Sequence, residues 1–569
     1  MAAPRAIQRA MLFFGASSPG YAGGHGSPGP GTGVPPLWAG AGAGAARQPA
    51  SSARSAAGGR IRDTKQRHPA RKRGRRTPWH AAAVGHLDVA IIGAGHNGLV
   101  AAAYLARAGL SVKAFERREM VGGACVTEEL WPGVRASPGA YTLSLLRPEI
   151  IRELELERHG LKVEVHDPYL FAPIPDGRRV VTWSDSGRTH AQLAADWSRA
   201  DADAYLDWSR RRDEATARAR PLMLEPPDRE RWLDAVGHEL LDGAIADELA
   251  GIPSEQVRVP FALQGLIGTL AGPSDPGTSF VSLYHDLGQA AGAFGAWGYA
   301  RGGMGAVTGA LRSAGEAAGA TVRLEAPVDR VLVEDGRAHG LVLEDGAEVR
   351  ARAVVSNADP LRSAALAGVP VPEGWTQAGP VVKVMLLLDR LPDFPGWPGE
   401  EAWHGAIDIG YSLDDLERAA ADARAGRPAE APWIEAACQT AVDPTLVPDG
   451  RQVVSLFCQC FPPDVDAEAA ADSAIARFAI ACPELPDRIV DRLVLGPRQL
   501  EERFGITGGH IFHGEMLPGQ LFERRIDRRA FGGIERLYLG GSGAHPGGAV
   551  TGAPGYLAAA AVIDDFRPA

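Results

Sequence analysis

Asp88-Val-Ala-Ile-Ile-Gly93-Ala-Gly95-His-Asn-Gly98, running on through Leu99 to Gly109 and Ser111-Val-Lys-Ala-Phe-Glu116, is the stretch that decides the fold. Residues 88–92 are an apolar run bounded by turn residues, the pattern of a strand buried in a parallel sheet. Gly93 permits a tight turn, Gly95 lets backbone approach a pyrophosphate, and Gly98 lets the next helix pack closely on the strand. That helix is expected over about 97–108, with Leu99, Val100, Ala103 and Leu105 toward the sheet and Gly109 stopping it. Its first N–H groups and positive dipole end face the phosphates. A second strand, 112–115, ends in Glu116, whose carboxylate can accept hydrogen bonds from both ribose hydroxyls of an adenosine. Strand, helix, strand and acid in register read as a dinucleotide site, which a glycine triplet alone would not. An acid there disfavours a 2′-phosphate, but Arg117 and Arg118 follow it and either offers a phosphate a partner.

A nicotinamide dehydrogenase continues from this fingerprint into further βα units. Here Glu116 leads instead to Arg117-Arg-Glu-Met-Val-Gly122-Gly123. A second glycine pair just past the acid fits FAD, whose pyrophosphate needs further close backbone approach. A glycine cluster also closes the chain: Leu537-Tyr-Leu-Gly540-Gly541-Ser542-Gly543-Ala-His545-Pro546-Gly547-Gly548, then Thr551-Gly552-Ala-Pro554-Gly555. A chain that applies both ends to one dinucleotide holds it permanently, as flavoproteins do. The last helix, from near Pro554, would aim its N-terminus at the flavin and stabilise negative charge on a reduced ring.

The run from Ile91 to Arg147, with Glu116-Arg117, Gly122-Gly123 and Ser144-Leu-Leu-Arg147-Pro148, resembles the FAD-dependent phytoene desaturase and retinol saturase superfamily. That group sits among the amine oxidase-like flavoproteins. Within it the likeness is closest to the pyridine nucleotide-disulfide oxidoreductase domain-containing branch and its bacterial relatives. Tyr299-Ala-Arg301-Gly302-Gly303-Met304-Gly305, Gly508-Gly509-His510-Ile-Phe512-His513-Gly514-Glu515 and the closing cluster share the likeness, which covers about Asp88 to the C-terminus. The resemblance implies that the backbone around Val328 lies beside the adenine. It also implies Gly541-Ser542 at the ribityl–pyrophosphate and His545-Pro546-Gly547-Gly548 near the ring.

The fold class expected is α/β: a Rossmann-like, discontinuous FAD-binding domain of residues 87–155, 300–360 and 533–569, plus an α+β substrate domain of 156–299 and 361–532. A helix over 306–318 precedes strands near 321–324, 328–334, 338–343 and 351–356, with Asp335-Gly336 and Asp345-Gly346 as hairpin turns. Residues 156–300 are mostly helical in pattern, with Trp197, Tyr205, Trp208, Trp232, Leu240 and Leu241 on amphipathic faces. Strands are expected at 169–174, 179–183, 381–389 and 452–461.

Of 569 residues, 45% are hydrophobic, enough for two sizeable cores, and no apolar run nears the roughly 18 residues of a membrane span. Peripheral membrane contact stays open. Residues 1–87 carry thirteen Arg and Lys against one acid, Asp63, so the remainder carries 46 basic and 68 acidic residues. This Gly/Ala/Pro/Arg-rich extension reads as disorder. Three accounts compete: a mitochondrial targeting segment, a nucleic-acid tail, or upstream coding sequence ahead of a start near Val84. The acidic remainder argues against a nucleic-acid partner, and the composition favours the third account. The cytoplasm is then the expected compartment, with the mitochondrial matrix as the alternative. None of the five cysteines forms a CxxC, so disulfide reductase chemistry is not expected, and a reducing compartment fits. Cys458 and Cys460 are expected on one face of a strand as core residues.

Nothing has metal-ligand spacing, and no Gly-x-Ser-x-Gly elbow supplies a nucleophile. Flavin chemistry explains the absence, since the isoalloxazine takes the hydride and the protein orients substrate. Two candidate catalytic residues stand out. Lys383, in Val381-Val-Lys-Val384, resembles the lysine that holds a water over the flavin in amine oxidases; a strand-edge or inter-domain salt bridge is the alternative. His545 can shuttle a proton or shape the flavin loop. His513 and Glu515 form an acid–base pair or fix a domain junction. The closing motif, with Pro546 and its glycines, lacks the aromatic of amine oxidases. The expected function is hydride transfer between FAD and a hydrophobic, isoprenoid- or lipid-like small molecule, with quinone, oxygen or nicotinamide as electron acceptor. An FAD-binding regulatory protein of mitochondrial type and an amine or amino-acid oxidase are the alternatives.

Overall fold

The apolar run Leu87–Ile92 becomes an interior strand of a seven-stranded sheet in the computed structural model, which describes residues 86–371, 373–523 and 528–567. The extension therefore lies outside the described residues, apart from its last two. Leu87–Ile92 pairs in parallel with Val112–Phe115, which pairs with Thr321–Arg323. Its other edge pairs in parallel with Glu348–Ser356. That nine-residue strand serves two partners along its far edge. Glu348–Arg350 runs antiparallel to Arg337–Leu343, which continues the meander to Val328–Glu334; Val354–Ser356 runs parallel to Leu537–Leu539. Asp335 and Gly336 both take positive φ, 50° and 74°, as a two-residue hairpin of right-handed twist requires.

Helix His96–Arg107 buries ten of its twelve residues because it is covered on both flanks. Met304–Ala317 packs on one and Ala553–Phe566 on the other. The second contact is close: a Cβ on Gly555 would stand 2.0 Å from Asn97 O. Tyr104 and Tyr556 meet edge-on there at 5.0 Å. Gly109, at φ 85°, ends the helix, with the Gly109 and Leu110 N–H groups returning to Ala106 and Leu105 carbonyls.

The second seven-stranded sheet runs Ile489–Leu495, Val382–Leu388, Gln452–Cys458, Ile434–Ala437, Ala406–Ile409, Leu170–Pro173, Arg179–Thr182. Its Val382, Val384, Leu386 and Leu388 face packs on helix Ala467–Ala479. The opposite face meets a layer of helices that includes Arg199–Ala219, Arg229–Val236, Glu255–Leu263 and Thr278–His285. Trp208, Trp232 and Leu241 are buried in that layer, and Trp197, Tyr205 and Leu240 pack at its margin.

One expectation is corrected. Cys458 and Cys460 do not share a face: the strand ends at Cys458, and Cys460 sits at φ 70°. The chain leaves the ladder so that Gln459 can accept the Gly268 N–H at 2.6 Å. Cys458 then packs in the outer core of the sheet and Cys460 in the helical layer. All five cysteines are free and buried. Among the described residues, no helix is long and apolar enough to cross a membrane.

Candidate functional site

Three glycines shape the opening turn, and each does so differently. Gly93 takes φ 84°. A Cβ on Gly95 would stand 2.8 Å from Asn357 Nδ2, and one on Gly98 would stand 2.4 Å from Gly93 O. Asn357 follows Ser356 at the end of the neighbouring parallel strand, so its amide lies against the glycine turn. Helix His96–Arg107 starts at Gly95 without a side-chain cap, leaving its first-turn N–H groups for another acceptor.

Glu116 is buried at the end of Val112–Phe115. Its Oε2 accepts the Ala94 N–H at 2.8 Å and its Oε1 the Arg118 N–H at 3.0 Å. Each oxygen retains acceptor capacity. Arg117 turns its guanidinium onto the Arg503 carbonyl at 2.8 Å, at the C-terminal end of helix Pro497–Phe504. Arg118 pairs with Glu128, which also pairs with Arg503. Gly122 donates to Ala94 O at 2.9 Å and bridges to Gly95, which folds the second glycine pair against the first turn. The closing cluster reaches the same place. Asn97 Nδ2 donates to Ser542 Oγ at 3.3 Å, and His96 Nε2 lies 3.2 Å from Ala549 O. A carbonyl only accepts, so Nε2 carries the hydrogen. Burial, and then His513, hold the His96 imidazole down to about 4, so it is neutral at pH 7.

A cavity of about 310 Å³ runs along these groups, within the ~300–1,000 Å³ of ligand sites. Glu116, Arg117 and Val328 line one part; Gly93, Gly95, Gly122, Gly123 and Ser542 line another. The lining also includes His96 and Ala549, the apolar Ile267, Trp297, Phe457 and Phe512, and Tyr141, Ser144, His285 and Lys383. The His285 ring neighbours those of Trp297 and Phe512, and Lys383 stands over Tyr141 and Phe457. Gly98, Gly541, Gly547, Gly548 and His545 are not among the lining residues. Gly98 and Gly541 instead face backbone, Gly541 at 2.6 Å from Asn357 O for an added Cβ. Gly548 lies behind Phe512, donating to Met516 Sδ at 3.4 Å. His545 is buried with its ring 6.5 Å from that of Phe522.

Lys383 sits on an interior strand of the second sheet, and its Nζ donates to Ser455 Oγ at 2.6 Å. No carboxylate lies within 4.0 Å of that nitrogen among the described residues. Nζ stands 3.5 Å over the Tyr141 ring. Burial pushes the ammonium down to about 7. His513 lines the cavity, whereas Glu515 does not, and burial raises the Glu515 carboxyl to about 7. Among the described residues no three His, Cys, Asp or Glu side chains could hold a metal.

The profile of the family described as flavin containing amine oxidoreductase matches residues 98–481. The chain belongs to that family. As a flavin containing oxidoreductase it uses FAD, which takes up and releases hydride when bound. It is 35% identical to pyridine nucleotide-disulfide oxidoreductase domain-containing protein 2 of Rattus norvegicus, over 84% of this chain and 94% of that protein. Phytoene desaturase of Neurospora crassa is 28% identical over 47% of each chain. A solved putrescine oxidase superposes with a TM-score of 0.56 at 19% identity, covering 84% of this chain and 98% of its own, which shows a shared mixed α/β fold. Sequence reasoning missed Asn357, His96, Tyr141 and the aromatic wall. Of these only His96 had a signal, lying inside the glycine fingerprint.

Proposed function

We propose that this flavin containing oxidoreductase moves hydride between FAD and a hydrophobic, isoprenoid- or lipid-like molecule, as a desaturase or saturase. The observation that carries the reading is the set of apolar residues Ile267, Trp297, Phe457 and Phe512 in the cavity's lining. The name of a relative matched over about half of each chain, a phytoene desaturase, agrees with it. Lys383 is the cavity's basic residue beside the aromatic rings of Tyr141 and Phe457. A lysine that charges below about pH 7 repels an ammonium rather than receiving it.

The residues fit FAD as a Rossmann-like site would hold it. The uncapped helix start at Gly95 offers N–H groups to a pyrophosphate, and Glu116 keeps acceptor sites for a ribose. Val328 would flank the adenine, and Ser542 and His96 would stand along the ribityl and ring.

The test is the visible spectrum of purified protein under anaerobic conditions, with putrescine, cyclohexylamine, NADPH and a short isoprenoid added separately. The expected result is a bound flavin that the amines leave oxidised, and that the isoprenoid bleaches if the enzyme desaturates or NADPH bleaches if it saturates. Bleaching by the amines, with peroxide released on admitting air, would overturn the reading.

A further inference from the structure

Behind the cavity wall, the second sheet sets four side chains in a row. Lys383 pairs directly with Phe457, Phe457 with Glu435, and Glu435 with Asp408. Directly opposed residues share a face, their Cβ atoms roughly 5 Å apart. Two carboxyls therefore stand side by side, each 1% exposed. Neither lies within 4.0 Å of a basic nitrogen among the described residues. Neither oxygen of Asp408 has a donor of good hydrogen-bond geometry, Gln264 being the amide that faces it. Glu435 has two donors: the Tyr141 hydroxyl on Oε1, and Gln264 Nε2 on Oε2 at 3.4 Å. Tyr141 in turn lines the cavity. A hydrogen bond thus links the cavity-lining Tyr141 to Glu435, and the strand register sets Asp408 beside Glu435.

We infer that Asp408 and Glu435 share a proton between two carboxyls, and that Tyr141 passes protons between this pair and the cavity. Two buried carboxylates on directly opposed strand positions repel when both are ionised, and Asp408, with Gln264 alone to oppose the cost, is the harder of the two to ionise. Burial, followed by the neighbouring Glu435, accordingly drives Asp408 far up, and burial raises Glu435 against the pull of Tyr141, Gln264 and Lys383. Burial and Glu435 also raise the Tyr141 phenol, with Asp408 and Tyr299 adding to the effect. The phenol therefore takes one proton as it gives another and never rests as phenolate.

The inference rests on the hydride chemistry proposed above. In the desaturating direction, hydride leaves one carbon for the flavin and a proton leaves the next carbon for Tyr141 Oη. The electron pair of that second C–H bond becomes the double bond, and the hydroxyl proton of Tyr141 passes to Glu435. Saturation runs the same path backwards.

Infrared spectroscopy of the FAD-loaded protein at neutral pH, in ordinary and heavy water, tests this without turnover. We expect the carbonyl band of protonated carboxylic acid, of which the part removed in Asp408→Asn/Glu435→Gln, over and above that of Glu515, is displaced in Tyr141→Phe. Absence of that part, or its indifference to Tyr141→Phe, would overturn the inference. Should the double variant not fold, chemical unfolding of wild type against Asp408→Asn decides. Carboxyls raised in the folded state lose stability as pH rises, so wild type should weaken from pH 5 to 8 more steeply than the variant. Equal slopes would overturn the pair. Failure to find an apolar substrate would defeat the functional reading while leaving the band in place.

Discussion

A Cβ at Gly98 would strike the Gly93 carbonyl at 2.4 Å, whereas one at Gly95 would meet the Asn357 amide, a side chain able to turn aside. Gly98→Ala is therefore expected to lower stability by about 1–3 kcal/mol, read as a lower unfolding midpoint. Gly95→Ala should cost the fold less and FAD retention more, read as flavin absorbance per protein. Lys383 has its own pH signature. Its amine is depressed to about 7 from 10.5, so the folded chain binds fewer protons than the unfolded one between those values. Stability from this group rises with pH across that window, and the charging penalty is fully present below it. Lys383→Met should thus gain on wild type by up to a few kcal/mol below pH 7. Unfolding midpoints at several pH values check the convergence expected toward pH 10.

At the scale of elements, Gly555 sets the distance between helix Ala553–Phe566 and helix His96–Arg107. Gly555→Ala puts a methyl 2.0 Å from Asn97 O, and parting the helices would strain the Asn97–Ser542 hydrogen bond. The expected outcome is a lower melting temperature together with partial loss of FAD, measured on one sample by scanning and by absorbance. These glycines were legible in the sequence because a missing Cβ matters wherever backbones touch, whatever else surrounds it. Strand Val328–Glu334 and the Asp335-Gly336 turn were legible for the same local reason. Gln452–Cys458 was overextended because Cys460 continues its alternation on paper, whereas Gln459 bonds Gly268 and Trp433, both far off in sequence, where the chain leaves the ladder. Asp408 and Glu435 carried a faint signal as lone acids inside Ala406–Ile409 and Ile434–Ala437. Their adjacency depends on which strands the sheet makes neighbours, and no local pattern states that.

For the whole molecule, the strands of both large sheets and the cavity lining found among the described residues lie within 87–567. A chain lacking residues 1–85 is expected to keep its FAD content and unfolding midpoint. Its isoelectric point should fall, because the part removed carries thirteen basic residues against one acid. A melting curve and an isoelectric-focusing gel on both forms check this. The strand Glu348–Ser356 stays incomplete until synthesis is nearly over. Its last residues find their outer partner only in Leu537–Leu539, and Asn97 finds Ser542 445 positions later. At ~5–20 residues per second, the ribosome presents the opening turn many seconds before its counterpart. During that interval an emerging chain has half a cradle and an open sheet edge. With FAD held as proposed, its capture is expected late in biogenesis, and a polypeptide stalled before residue 537 is expected to leave the ribosome without flavin.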